Sequence, residues 1–394
     1  VLLGPEGQGA SIASETDGIV AARALDSDTV EISTTARDSR LPRKLNRLRI
    51  FNAEAFRRVG RVAFAKDPIG TGPYRAVAWA VGGAGVTLVG VPTSWRAPEQ
   101  IDRVEVAVVS DRSVRLQSLL AGETDVVSNL DPDAIPVLAE AGLGHHVQSG
   151  PVVLALAFRT QGDAHPALRD RRVRLALNMA VDRAGISKEL LGGTLPPATQ
   201  VATPDSVGWD PALEAYAFDR NRAKALLAEA GYPTGFKIAI GVFGGQIPGD
   251  TLMFQRVAQD LAAIGIVAEV RLLPFPDFGR RTQSGDWAGF DMFSSLWSHY
   301  QLGDISYSAR RQSCLFAVPW FCEPDMVPLI ERADAEMDPV ARAALLRDVN
   351  RAFHDAVPSL LLVRYASIDG LSKRVSRYET VINAILFGKM RVAD

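Results

Sequence analysis

Candidate catalytic and metal-binding residues are few in this chain. Its five histidines are scattered along the sequence, and none of them stands with a nucleophile in a recognisable pattern. The adjacent pair His145 and His146 follows Gly144 in an expected surface loop, and as strand neighbours the two would point to opposite faces. We therefore expect a non-enzymatic protein that holds no metal and no cofactor.

The two cysteines, Cys314 and Cys322, lie close together in a segment that is rich in turn and aromatic residues. Such a pair suits one disulfide in an oxidising compartment. The alternative is two free, buried thiols, because reduced cysteine often packs as a small apolar residue. A zinc site is disfavoured, since the spacing does not fit a paired-thiolate knuckle and no histidine lies beside the cysteines.

Composition limits the class of protein further. A formal net charge of -2 and the absence of a long Lys/Arg run make nucleic acid an unexpected partner. With 47% hydrophobic and 22% charged residues, 394 residues can bury a large core in two or three domains. No window approaches the roughly 20 apolar residues of a membrane-spanning helix. The opening residues Val1–Gly4 carry no signal peptide, so we expect a mature, trimmed or partly observed chain.

Helical and strand-like patterns alternate without a fixed repeat, which predicts a mixed α/β architecture. The predicted strands cover residues 29–34, 75–79, 85–90 and 103–109. The predicted helices cover residues 112–120, 173–181, 221–230, 251–264 and 340–353. Asp111 and Asp338 are the expected N-caps of the first and last of these helices, and Gly231 and Gly265 are expected to end two others.

The segment PIGTGPYRAVAW, residues 68–79, places two glycines and two prolines in a tight bend before a strand. It lacks the Lys-Ser/Thr pair of a phosphate loop and leads into no helix. It resembles the signature of the family 5 extracellular solute-binding proteins, which include dipeptide, oligopeptide, nickel and some glycoside or opine receptors. The resemblance continues in order through residues 94–127, 170–183, 218–236 and 260–275, and it covers nearly all of residues 19–365.

The resemblance implies an α/β, two-lobed clamshell of the periplasmic-binding-protein type, in the large cluster that carries an extra small domain. Residues 1–67 would be the remnant of that small domain, incomplete at its N-terminus. Residues 68–158 with 366–394 would build lobe one, and residues 159–365 would build lobe two. The resemblance also implies a disulfide between Cys314 and Cys322, and a ligand held in the cleft between the lobes.

The same resemblance identifies candidate ligand contacts. In dipeptide receptors of this family, an aspartate pairs with the ligand's amino group and an arginine in an earlier loop pairs with its carboxylate. Counted back from the first cysteine, Tyr300 takes the place of that aspartate, and Asp304 would reach the cleft only if the loop shifts register. The earlier loop, GVFGGQIPGD, offers Phe243 and Gln246 but no arginine. Losing both charged anchors argues against an ordinary zwitterionic dipeptide, because a buried charge needs a partner.

A neutral, sugar-like or amide-rich ligand would need stacking faces and polar contacts instead of charged anchors. Trp297, Tyr300 and Phe243 would supply the stacking faces, and Gln246 and His299 the polar contacts. The competing interpretation is that an aromatic residue in a turn segment belongs to the core.

The function that the resemblance implies is an exported receptor, periplasmic or lipid-anchored. It would capture a small peptide-like, glycoside-like or opine-like solute as a monomer and deliver it to the permease subunits of an ABC importer. The alternative is a solute-sensing domain of a cytosolic regulator, which a free thiol pair would favour. An enzyme such as a small-molecule hydrolase lacks an acid, base and nucleophile set in this sequence.

Overall fold

The computed structural model describes residues 16, 18–79, 83–245, 247, 249–381 and 384–393. The chain divides into two compact units. Unit 1 comprises Val1–Leu48 and Gly150–Tyr365, and unit 2 comprises Arg49–Ser149 and Ala366–Asp394. The boundaries of the two lobes and of a small-domain remnant at residues 1–67 stay predictions.

Twelve α-helices occur among the described residues. They are α1 (Leu41–Asn46), α2 (Ala53–Lys66), α3 (Arg112–Leu120), α4 (Ala134–Glu140), α5 (Arg171–Ala180), α6 (Arg183–Gly185), α7 (Arg220–Glu229), α8 (Asp250–Ala262), α9 (Phe275–Ser284), α10 (Ser306–Arg311), α11 (Met326–Ala335) and α12 (Pro339–Ala356).

Fifteen strands occur in the same part of the chain. They are β1 (Ile19–Ala24), β2 (Val30–Thr34), β3 (Tyr74–Trp79), β4 (Gly85–Gly90), β5 (Arg103–Ala107), β6 (Val126–Val127), β7 (Gly144–Phe158), β8 (Lys237–Val242), β9 (Val267–Leu272), β10 (Met292–Ser298), β11 (Ser359–Leu371), β12 (Val375–Arg377), β13 (Thr380–Val381), β14 (Ala384–Ile385) and β15 (Arg391–Val392).

The sheet of unit 1 has the strand order β11-β7-β10-β8-β9. Strands β8 and β9 are parallel, in a register that sets Val242 opposite Leu272. Strand β10 runs parallel to β8 and antiparallel to β7, with Ser298 opposite Val152. The carboxyl ends of β8, β9 and β10 therefore share one side of the sheet with the residues that precede Val152.

The core of unit 1 contains several aromatic rings from β10 and the helices around it. Phe293 on β10 stacks on Trp287 with 3.9 Å between ring centroids, and Trp297 meets Phe353 of α12 at 5.1 Å. All four side chains are almost completely buried. The predicted alternation of helix and strand is confirmed in this half of the chain by α7, β8, α8 and β9.

The predicted helix caps are confirmed. The carboxylate of Asp111 accepts a hydrogen bond from the N–H of Val114 at 3.0 Å, and that of Asp338 accepts two at the start of α12. Gly231 and Gly265 adopt φ values of 92° and 89°, the left-handed conformation that glycine allows at a helix end.

Two local predictions are wrong. His145 and His146 do not lie in a loop, because β7 begins at Gly144 and includes both of them. The strand predicted over residues 103–109 is shorter, since β5 ends at Ala107.

Unit 2 combines a three-stranded antiparallel sheet, β3-β4-β5, with a small apolar cluster beside β6. That cluster contains Leu119 of α3, Leu138 of α4 and Ile368 of β11, each at most 1% exposed. Strand β6 pairs antiparallel with the end of β11, where Gly370 lies opposite Val127. Across both units, the helices of the described residues include none that is long and apolar enough to span a bilayer.

Candidate functional site

The carboxyl ends of the parallel strands in unit 1 form the candidate site. In open α/β sheets, ligands bind outside these strand ends, where the chain leaves the sheet in loops. Phe243 follows β8, Leu272 ends β9, Phe275 begins the next helix, and Tyr300 comes two residues after β10. Gly150 precedes the part of β7 that pairs with β10. We call these five residues the carboxyl-end site.

The side chain of Tyr300 lies against the backbone of Gly150. A Cβ atom at position 150 would overlap the Tyr300 hydroxyl oxygen and would stand 2.9 Å from its Cζ. The same Cβ would lie 3.0 Å from Cδ1 of Tyr365, so two tyrosine rings converge on this glycine. Only a residue without a side chain leaves room for Tyr300 in this position, which is half-buried.

Phe243 and Phe275 form an aromatic pair at the ends of β8 and β9. The backbone N–H of Phe243 donates a hydrogen bond to Oγ of Ser294 at 3.1 Å, which ties the start of the loop to β10. The ring centroids of Phe243 and Phe275 are 5.1 Å apart, and Phe278 lies 5.8 Å from Phe243. Gln246, the predicted polar contact of this loop, lies outside the described residues.

The remainder of that loop is fixed by Asp250 at the start of α8. Its carboxylate accepts hydrogen bonds from the backbone N–H groups of Gly245 at 3.1 Å and Ile247 at 3.2 Å. The side chain of Asp250 is nearly fully buried. This carboxylate organises the backbone of the loop, since its oxygens face the chain's own amides.

Trp297 occupies the core of unit 1. It is 0% exposed, and its indole N–H donates a hydrogen bond to Oγ of Ser359 at 3.2 Å. With its ring packed against Phe353, it presents no face to solvent in this structure. The observed placement matches the competing interpretation of an aromatic residue in the core, and Trp297 supports the strand that leads to Tyr300.

His299 is likewise fully buried. Its Nε2 lies 2.9 Å from the carbonyl oxygen of Val201 and must donate there, which leaves Nδ1 as a buried acceptor without a partner. Burial lowers the pKa of His299 to about 4, so the imidazole is neutral at physiological pH. The ring anchors the turn after β10 from the inside.

Asp304 is also directed into unit 1. Its carboxylate forms an ion pair with Arg342 of α12 at 2.8 Å and accepts the N–H of Ser306 at 2.8 Å. The aspartate is only 4% exposed. Its charge is therefore already matched within the protein.

The disulfide between Cys314 and Cys322 is confirmed, and the alternative of two free thiols is wrong. The disulfide closes a short loop after α10 in unit 1. No group of three or more histidine, cysteine, aspartate or glutamate side chains within the described ranges is arranged to hold a metal.

The structure thus brings Tyr300 and Phe243 to one side of the sheet and places Trp297, His299 and Asp304 in the interior. Sequence reasoning missed Leu272 and Phe275. Their position in the chain could have identified them, because both residues lie where β9 ends and the next helix begins. Gly150 carried no comparable signal, since its importance depends on a tyrosine that is remote in sequence.

Comparison with known proteins places these observations in a family. The family model described as bacterial extracellular solute-binding proteins, family 5 middle, matches residues 2–313. The chain is 26% identical over 321 residues to di/tripeptide-binding protein 2 of Pseudomonas aeruginosa (strain UCBPP-PA14), covering 79% of this chain and 59% of that protein. It is 25% identical over 328 residues to the dipeptide-binding protein of Escherichia coli (strain K12), with the same two coverages. The chain spans about three fifths of the length of these curated relatives.

Solved structures share the fold. The ABC transporter-associated periplasmic binding protein DppA from Helicobacter pylori, in complex with the peptide STSA, superposes with a TM-score of 0.82 at 21% identity, covering 98% of this chain and 77% of that chain. The binding protein AgaA of A. tumefaciens R10, in complex with agropinic acid, gives a TM-score of 0.78 at 19% identity over 100% of this chain and 81% of that chain. The predicted periplasmic-binding-protein fold is confirmed. Since the family model matches well over half of its residues, the chain belongs to the family 5 bacterial extracellular solute-binding proteins.

Proposed function

We propose that the chain is the solute-binding component of an ABC importer and delivers a small organic solute to membrane permease subunits. The observation that carries the proposal is the carboxyl-end site, where half-buried and exposed rings gather outside three parallel strands. Ligand sites in proteins combine apolar lining with a few polar groups in this way. Membership of family 5 and the similarity to proteins named as peptide-binding proteins support the same role.

Binding without chemical conversion fits the residues at this site better than catalysis does. A hydrolytic site needs a nucleophile within hydrogen-bond reach of a base. The histidine nearest in sequence to Tyr300 is His299, which is buried, neutral and committed to the carbonyl of Val201. We therefore propose that the protein releases its solute unchanged.

The proposed location is outside the cytoplasm, either free in the periplasm or lipid-anchored, with the protein acting as a monomer. Disulfides persist mainly in oxidising compartments. The bond between Cys314 and Cys322 therefore favours an exported receptor over the sensing domain of a cytosolic regulator.

A thermal-shift screen tests the proposal. The purified chain is heated with di- and tripeptides, oligosaccharides, opine-like conjugates or nickel chelates, each supplied far above its expected dissociation constant. A bound solute at 100 times its dissociation constant adds about 2.7 kcal/mol to the free energy of unfolding, which raises Tm by several degrees. The expected result is a shift with one class of solute. No shift with any class would contradict a solute-binding role.

A further inference from the structure

An exposed apolar patch lies at the carboxyl-end site. Leu272 and Phe275 are each 64% exposed, and Leu252 on the first turn of α8 is 58% exposed. Single exposed apolar side chains are common on protein surfaces, whereas contiguous groups of them mark binding sites.

Phe275 lies against Phe243, and Leu272 lies against Gly244, the residue that follows Phe243. The rings of Phe243 and Phe275 lie 5.1 Å apart. A Cβ atom built on Gly244 would stand 3.0 Å from Cδ1 of Leu272 and 3.3 Å from Oγ1 of Thr251, so the Leu272 side chain lies over this glycine beside the start of α8. The aromatic pair and the leucine thus belong to one surface that crosses the ends of β8 and β9.

Charged side chains on β9 and α9, the two elements that carry Leu272 and Phe275, are paired with each other. Glu269 and Arg271 on β9 form an ion pair at 2.7 Å. Asp277 on α9 pairs with Arg280 at 2.6 Å and with Arg281 at 3.1 Å. A ligand that placed a charge on the patch would have to compete with these pairs or leave its own charge without a partner, which is costly.

We infer that the carboxyl-end site receives an uncharged, ring-bearing part of the solute, held by Phe243, Leu272 and Phe275. This inference rests on the proposed function and adds the chemical class of the solute. Aromatic rings stack on flat apolar groups with centroid separations of 4.5–7 Å, and the exposed face of Phe275 is available for such a contact. Leu272 would cover the edge of the bound ring.

Three small probes, two N-acetyl amino-acid amides and one free dipeptide, test the inference by isothermal titration. N-acetylphenylalanine amide is uncharged and has a ring, N-acetylglycine amide is uncharged without a ring, and phenylalanylglycine has the ring and two charged ends. We expect the first probe to bind at least tenfold more tightly than either of the others. The variants F275S and L272S are each expected to weaken it at least tenfold, equivalent to about 1.4 kcal/mol.

Val267 supplies the matched control, because it is 56% exposed and begins the same strand that Leu272 ends. V267S should bind the first probe as tightly as the unsubstituted chain. Unchanged binding by F275S and L272S, or a preference for a charged or ringless solute, overturns the inference while the receptor function stands. A chain that binds none of the probes and nothing in the thermal-shift screen overturns both proposals.

Discussion

Replacing Gly150 with alanine tests whether Tyr300 is held where the structure places it. The new Cβ would overlap the tyrosine hydroxyl and lie 2.9 Å from Cζ, which is closer than real Cβ contacts come. Gly150 has no positive φ, so alanine meets a steric conflict alone and no backbone strain. Because Gly150 is buried, Tyr300 must move. Overpacking of this kind costs about 1–3 kcal/mol, and we expect G150A to lose that much unfolding free energy.

A double-mutant cycle identifies the cause of that loss. Urea denaturation would be measured for G150A, Y300A and the double variant. Removing the tyrosine first relieves the two closest contacts and leaves Cδ1 of Tyr365 at 3.0 Å from the new Cβ. The cost of G150A should therefore fall by at least 1 kcal/mol in the Y300A background, which is within the range of couplings between touching residues.

Gly279 in α9 provides the matched control. A Cβ there would meet nothing within 4 Å, and the helix interior favours alanine over glycine by about 0.5–1 kcal/mol. G279A should thus be neutral or slightly stabilising. The reasoning about Tyr300 is refuted if G150A is as well tolerated as G279A, or if its cost is the same with and without the tyrosine.

Three further predictions concern residues of unit 1 outside the carboxyl-end site. Burial lowers the pKa of His299 from 6.5 to about 4, so on acidification the unfolded chain takes up the proton before the folded chain does. The neutral, buried imidazole therefore contributes about 3 kcal/mol at most to the unfolding free energy, and this contribution is lost as pH falls from about 6.5 to 4. The variant H299Q should make the unfolding free energy less dependent on pH across that range. R342M leaves the buried carboxylate of Asp304 without its ion pair and should lower the unfolding free energy, measured by urea denaturation, by about 3–5 kcal/mol. The double variant R342M/D304L should lose less unfolding free energy, because it leaves no buried charge without a partner. Serine at both Cys314 and Cys322 should cost about 2 to 3 kcal/mol in the same assay, and no change on reduction of the unsubstituted chain would contradict the role of the disulfide.

Local signals made the helices and several strands predictable. The caps of α3 and α12 and the glycines after α7 and α8 act within a few residues of chain, so their chemistry can be read directly from the sequence. The misplaced loop at His145 and His146 shows the limit of such signals. These two residues belong to β7 because the long strand extends past its apolar part, where neighbouring residues in sequence give no guide to pairing.

The candidate site was only partly predictable. Phe243 and Tyr300 follow strands, and the sequence identified both of them. Gly150 and Leu272 depend on contacts between segments that lie far apart in the chain, such as the hydroxyl of Tyr300 over position 150. A single sequence contains no record of those approaches, so their importance emerges only from the register of β7, β8, β9 and β10.

The ring-bearing residues Trp297, His299 and Tyr300 differ in burial. Trp297 lies in β10, and His299 and Tyr300 follow Ser298, the last residue of that strand. Trp297 and His299 are both 0% exposed, whereas Ser298 and Tyr300 are half-buried. The tryptophan and histidine therefore fix the end of β10 from the core side, with hydrogen bonds to Ser359 and Val201. Of these three ring-bearing residues, Tyr300 is therefore the one that is partly exposed, and this is why the binding role is proposed for Tyr300 and not for Trp297 or His299.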